Sequence, residues 1–138
     1  MDGEAEVEFR GPQWLLDWAN KNGHEQEIDL LRTNVKSIRI YEAAPVDDAW
    51  MKRIQGCHNL QVLALKKASI TDAGLESLIL VTDLRHLYLE NTKITDAGLA
   101  HLKKMKKLES VHLDGTRVTP AAIARLKADR PELRVYGP

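Results

Sequence analysis

The sequence predicts an α/β solenoid, in which short strands and short helices alternate through stacked units of nearly constant length. Three observations predict it. A 24-residue unit recurs without gaps from Leu60, Leu84 and Leu108, and a fourth copy, with one extra residue after Ile40, begins at Val35. Inside each unit the apolar spacing changes once, from alternation to the three-and-four spacing of a helical face. Between the halves sits one repeated signal, Thr-Asp-Ala-Gly-Leu at Thr71 and Thr95 and Thr-Pro-Ala-Ala-Ile at Thr119. One strand and one helix cannot bury a core alone, so the copies have to stack.

Taken in order, Glu4 to Phe9 alternates strictly and reads as an extra edge strand or as the end of a preceding domain. Pro12 to Asn22 reads as a short helix, opened by Pro12 and closed by Gly23, with Trp14, Leu15, Trp18 and Ala19 along one face. Trp14 and Trp18 are expected to cover the open end of the first repeat rather than to hold a ligand. Ile28 and Leu30 suggest a short strand leading into the repeats. Residues 1–34 thus form an N-terminal strand and helix cap, and 35–138 the repeats: about four units and a partial fifth, from Leu133 to Tyr136.

Each repeat opens with apolar residues at its first, fourth and sixth places: Val35/Ile38/Ile40, Leu60/Leu63/Leu65, Leu84/Leu87/Leu89 and Leu108/Val111/Leu113. Two inward side chains separated by one outward residue make a short strand. The helical halves carry Val46/Met51/Ile54, Ile70/Leu75/Leu78, Ile94/Leu99/Leu102 and Val118/Ile123/Leu126. The Thr before each helix is placed to accept a free helix N–H, the Asp after it suits the positive helix end, and Pro120 occupies a first-turn position where its missing N–H costs nothing. Asp47 takes the Thr place in the first unit, so Asp47 and Asp48 read as helix capping rather than as a catalytic carboxylate pair.

Composition narrows the function classes. The chain has 138 residues with 20 basic and 20 acidic side chains, hence zero formal net charge. This argues against a general nucleic-acid or anionic-membrane binder. Apolar runs are too short to span a bilayer, and the acidic opening MDGEAEVEFR lacks the order of a signal peptide. The single cysteine, Cys57, forms no internal disulfide, so a reducing, cytoplasmic compartment is expected, with an already trimmed export signal as the alternative.

The repeated strand and helix motifs resemble the leucine-rich repeat family over about residues 35 to 136. The Ile-Thr-Asp-Ala-Gly-Leu helix start is similar to that of bacterial repeat proteins and of the repeats in F-box proteins. Cys57-His58-Asn59-Leu60 resembles the cysteine-containing subtype, although Val81 and Met105 hold the matching places later. Where many members carry a ninth-position Asn, this chain has Ala68, Thr92 and Thr116, so a threonine ladder interrupted at Ala68 is expected. The resemblance implies a right-handed β/α horseshoe whose concave strand face binds ligands. The closing PELRVYGP resembles the finish of such bacterial proteins, so the C-terminus is expected to be complete and the N-terminus is left open.

Catalytic motifs are scarce: the sequence has no Gly-rich phosphate loop, HExxH, CxxC or GxSxG. No catalytic residue, cofactor or metal is assigned, and no enzyme activity is expected. Cys57 beside His58 reads as a core residue, not a nucleophile. His86 and His112 lie diagonally on neighbouring strands, within reach of a shared metal. A third ligand would have to come from Asp114 or Glu90, and most zinc sites need three or four ligands in closed geometry, so no metal is assigned. Lys103, Lys104, Lys106 and Lys107 read as a solvated helix end rather than an anion site.

The concave face carries the functional expectation. Its third and fifth strand places are Ser37 and Arg39, Val62 and Ala64, His86 and Tyr88, Ser110 and His112, and the seventh places add Tyr41, Lys66, Glu90 and Asp114. The candidate partner-binding residues are Arg39, Tyr41, Lys66, His86, Tyr88, Glu90, His112 and Asp114, types suited to protein contacts. The expectation is a monomeric, non-enzymatic module binding a peptide or small protein domain there, without nucleic acid or membrane insertion. The alternative is an assembly or adaptor factor, similar in plan to mitochondrial ATP synthase subunit s-like proteins, whose helix opening resembles Trp14-Leu15-Leu16.

Overall fold

The computed structural model describes residues 5–9, 35–40 and 46–138. The cap helix expected over 12–22, with Trp14 and Trp18, and the candidate Tyr41 lie outside the described residues. Among the described residues, six strands form one parallel sheet in chain order: β1 Ala5–Phe9, β2 Val35–Ile40, β3 Val62–Leu65, β4 His86–Tyr88, β5 Ser110–His112 and β6 Arg134–Tyr136. Four α-helices of the described residues lie between them: α1 Asp48–Arg53, α2 Asp72–Leu78, α3 Leu99–Lys104 and α4 Pro120–Asp129. The α/β solenoid is therefore the architecture. The alternating segment before the repeats is an edge strand, with Val7 level with Ile38. No helix among the described residues is long and apolar enough to cross a membrane.

The register explains why the repeat is 24 residues long. Leu63, Leu87, Val111 and Val135 stand level across β3 to β6, one unit apart, and the extra residue after Ile40 is absorbed before Leu63. These side chains and those of Leu65, Leu89 and Leu113 are buried beneath Leu75, Leu78, Leu99, Leu102, Ile123 and Leu126. Each such burial is worth roughly 1.5–3 kcal/mol, so the leucines hold the stack together. Cys57 belongs to the same core, at the place that Val81 and Met105 fill later.

The partial fifth unit differs from the sequence reading by one residue. A strand starting at Leu133 would turn Tyr136 into the core as its fourth residue. The β5–β6 pairing instead sets Val135 against Val111 and Tyr136 against His112. Because side chains alternate faces, this one-residue slip places Val135 in the core and Tyr136 on the concave side.

The Thr-Asp-Ala-Gly signal does more than start a helix. Asp48 accepts from the backbone N–H and hydroxyl of Thr71, at 2.8 and 2.5 Å, one unit along the chain. Asp72 does the same for Thr95, at 2.9 and 2.6 Å, and Asp96 for Thr119, at 2.7 and 2.8 Å. Of the two acids read as caps, only Asp47 caps its helix, accepting from Trp50 N–H at 2.9 Å; Asp48 bridges repeats instead. The glycine follows from this bridge. A Cβ on Gly74 would lie 2.5 Å from Asp48 Oδ1, and one on Gly98 would collide with Asp72 Oδ1.

The expected threonine ladder is not formed across repeats. Thr92 Oγ1 donates to Leu89 O at 2.7 Å and Thr116 Oγ1 to Leu113 O at 2.6 Å, each within its own unit. These bonds close the turn after the strand, where Lys67, Asn91 and Gly115 all have positive φ, of 61°, 58° and 69°. A threonine hydroxyl readily bonds a carbonyl three residues back on its own chain, and that local bond uses the hydroxyl proton a ladder would need.

Ion pairs join side chains of successive units along the outside: Asp83 with Lys107, Arg85 with Glu109 at 2.7 Å, and Lys103 with Asp129. Lys103 and Lys107 of the lysine run are thus engaged with carboxylates. Exposed pairs of this kind contribute about 0–1 kcal/mol each.

Candidate functional site

The concave face consists of strand residues that the pleat turns away from the core. Two rows run across it: Ser37, Val62, His86, Ser110 and Arg134, and beside it Arg39, Ala64, Tyr88, His112 and Tyr136. Parallel pairing sets equivalent side chains about 4.8 Å apart, close to the separation of stacked rings. Rings at one place in consecutive units therefore have to stack.

They do so at three consecutive strands. The Tyr88 and His112 ring centroids are 4.5 Å apart with planes 14° from parallel, and His112 and Tyr136 are 4.4 Å apart at 12°. His112 is thus held between two tyrosines, an arrangement in which each ring fixes its neighbour's rotamer. In the adjacent row His86 Nδ1 and Ser110 Oγ are hydrogen-bonded at 2.8 Å. The Lys66 ammonium and the Glu90 carboxylate pair at 3.0 Å. Arg39 is half-buried on β2, beside Ala64, whereas Asp114 is exposed after β5.

Of the sequence candidates, the structure brings Tyr88 and His112 together and pairs Lys66 with Glu90. It sets His86 on Ser110 and leaves Asp114 at the rim. Tyr136 and Arg134 were not among the candidates, and the β5–β6 register adds both to the face. The signal that finds them is the match of Arg-Val-Tyr to Ser-Val-His one unit earlier, in place of the leucine at 133.

The face is not uniformly open. Ser37, Ala64 and Ser110 are buried although they point outward, so accessible chemistry concentrates on the rings and charged groups. His86 and Ser110 stand at the spacing of a base and a nucleophile, but the Ser110 hydroxyl is shielded from any substrate. Among the described residues no three His, Cys, Asp or Glu side chains cluster as metal ligands. What the arrangement offers is a rigid strip of ring edges, hydroxyls and ring nitrogens flanked by charges of both signs.

Comparison with known proteins agrees with this geometry. Residues 56–78 and 82–102 match the leucine-rich repeat family model. No curated protein matches the sequence. Among solved structures, a leucine-rich repeat protein of Leptospira interrogans superposes with a TM-score of 0.57 at 15% identity, covering 78% of this chain and 27% of its own. Internalin C2 of Listeria monocytogenes gives 0.52 at 20% identity, covering 83% of this chain and 56% of its own. A further internalin of the same organism, inlF, gives 0.52 at 13% identity, covering 79% of this chain and 36% of its own. The chain therefore spans between about a quarter and just over half of these structures, and the likeness is one of fold.

Proposed function

Because the chain is a leucine-rich repeat solenoid, we propose that it is a non-enzymatic protein-interaction module whose concave face binds a peptide, a loop or a small domain. The Tyr88–His112–Tyr136 stack carries this reading. Aromatic side chains anchor protein contacts well, and rings already fixed by their neighbours lose little freedom when a partner arrives. A face six strands wide spans about 24 Å, which suits a short segment better than a large flat partner. Lys66 and Glu90 present both signs of charge at the edge of the strip and favour a partner with matching polarity.

The test compares affinity capture from the native cell extract by wild type and by a Tyr88→Ala/His112→Ala variant with unchanged circular dichroism. A protein retained by the first and lost by the second supports concave-face binding. Equal retention by both overturns it. Capture of a whole multi-subunit complex favours the adaptor alternative over binding to a single partner.

A further inference from the structure

Where helix returns to strand, two consecutive units carry opposite chemistry. One reads Ile79-Leu80-Val81-Thr82-Asp83-Leu84, and the same places 24 residues later read Lys103-Lys104-Met105-Lys106-Lys107-Leu108. An apolar turn therefore stands beside a cationic one. Val81, Leu84, Met105 and Leu108 are buried, but Leu80 keeps 54% of its surface exposed. A groove of about 250 Å³ opens between the two turns, lined by Ile79, Val81 and Leu84 of the first and by Lys104, Met105 and Lys106 of the second.

The four lysines are of two kinds. Lys103 pairs with Asp129 and Lys107 with Asp83. Lys104 and Lys106 are exposed, and no carboxylate of the described residues lies within ion-pair distance of either. Lys106 feels Glu132 only at longer range, and that carboxylate is held by Arg130. Lys104 suits the negative end of α3, but Lys106 lies beyond the helix. No acid is among the described residues that line the groove. An apolar slot, a neighbouring exposed leucine and two uncommitted cations thus coincide at one place, which the lysine run by itself does not reveal.

The dimensions and charge select the occupant. The groove is smaller than the roughly 300–1,000 Å³ of sites that enclose a whole small molecule, so it suits one side chain of a larger partner. One exposed leucine on a chain of zero net charge is a poor anchor for an anionic membrane, which takes a larger apolar face and a basic excess. We infer that this surface binds a short acidic segment of a partner protein that carries one large apolar side chain. That side chain enters the groove onto Ile79, Leu84 and Met105, Leu80 extends the apolar contact beside it, and acids on either side reach Lys104 and Lys106. The surface precedes β4 and β5 rather than lying on their concave side, so it is distinct from the ring strip and goes beyond the binding proposed there.

The probe is a blocked heptapeptide, Asp-Glu-Asp-Phe-Asp-Glu-Asp, titrated into the full chain while the methyl resonances of Ile79, Leu80, Leu84 and Met105 are followed. Two controls replace its Phe by Ala or its acids by Lys. The expected result is a shift of these methyls that weakens as salt is raised, with affinity about tenfold lower for the Ala peptide and for a Lys104→Glu/Lys106→Glu variant. The variant is further expected to prefer the Lys peptide to the acidic one, which a merely misfolded chain would not do. Tyr88→Ala/His112→Ala keeps the methyl shifts, so failure of this inference and failure of the concave-face reading are distinguishable. No shift of these methyls, or affinity indifferent to the charges at 104 and 106, overturns the proposal. Tighter binding to vesicles of equal phosphatidylserine and phosphatidylcholine than to the peptide also overturns it, by assigning the surface to a membrane.

Discussion

The carboxylate of Asp72 holds both the backbone N–H and the hydroxyl of Thr95, one repeat further along the chain. The same relationship joins Asp48 to Thr71 and Asp96 to Thr119, so each helix start is tied to the preceding one. A bond of this kind is strong because the acceptor is charged and the site is only partly open to water. The Thr95 hydroxyl also accepts from Ala97 N–H, so one side chain caps its own helix and ties two repeats together. At the last repeat Pro120 stands where earlier units have Asp, and the carboxylate series ends with Asp96.

Removing that carboxylate is expected to loosen the contact between two repeats. Asp72→Ala leaves the Thr95 N–H without its acceptor and is expected to lower stability by about 1–3 kcal/mol in urea titration. Gly98→Ala is expected to cost about 1–3 kcal/mol on its own, because the added methyl strikes Asp72. In the double variant the methyl no longer meets the carboxylate, so its loss should be smaller than the sum of the two single losses. Simple additivity would show that Gly98 is not there to make room for Asp72.

Arg130 is only 8% exposed, yet it sits near the chain's surface end. Its guanidinium reaches the carbonyls of Met105 and Leu108 at 3.2 Å, with longer contacts to Leu102, Lys103 and Lys106. These carbonyls line the end of α3 and the following turn; those of Leu102 and Met105 also accept the Met105 and Leu108 N–H groups, so there the guanidinium takes the remaining acceptor site of each oxygen. Arg130→Met keeps much of the volume and removes every donor, so a loss of roughly 2–3 kcal/mol is expected in chemical denaturation. A loss below about 0.5 kcal/mol, the range of ordinary surface substitutions, would mean that water replaces the guanidinium there.

Lys67, Asn91 and Gly115 share one left-handed turn position, and lysine is the residue least suited to it. Lys67→Gly relieves the crowding of its Cβ, and a gain of about 0.5–1 kcal/mol is expected in thermal or urea unfolding. An unchanged or lower stability would show that contacts of the Lys67 stem outweigh the backbone strain.

Acid is expected to weaken the C-terminal end. The hydrogen bond from Arg130 holds the Glu132 carboxyl below its ordinary value of 4.5, and the bond from Lys107 holds Asp83 below 3.8. A carboxylate whose folded value is depressed binds its proton more weakly in the folded chain than in the unfolded one. Its contribution is therefore complete above the unfolded value and is lost as pH falls from there through the lower, folded value. Stability should be flat near neutrality and decline below about pH 4.5, and Glu132→Gln should make that decline shallower. An identical acid limb in the variant would remove Glu132 from the account.

Much of the fold was legible because its cause is periodic. Leu63, Leu87 and Val111 recur every 24 residues, and a parallel register with that spacing is the arrangement that buries them all on one face. The concave positions of His86, Tyr88 and His112 follow from the same alternation. The final unit resisted reading because two apolar residues, Leu133 and Val135, compete for the inward place, and a slip of one exchanges the faces.

The sequence by itself determined the solenoid, its repeat length and the identity of the strand face, since hydrophobic periodicity acts locally and alike in every copy. Only the tertiary structure decided the cross-repeat bonds of Asp48, Asp72 and Asp96, the burial of Arg130 and the inclusion of Tyr136 in the ring stack. Each of these depends on where one unit sits against the next. The angle and offset between units come from packing the whole core, and a directional bond or a stacked ring forms only where that offset brings its partner within about 3 Å or about 4.5 Å.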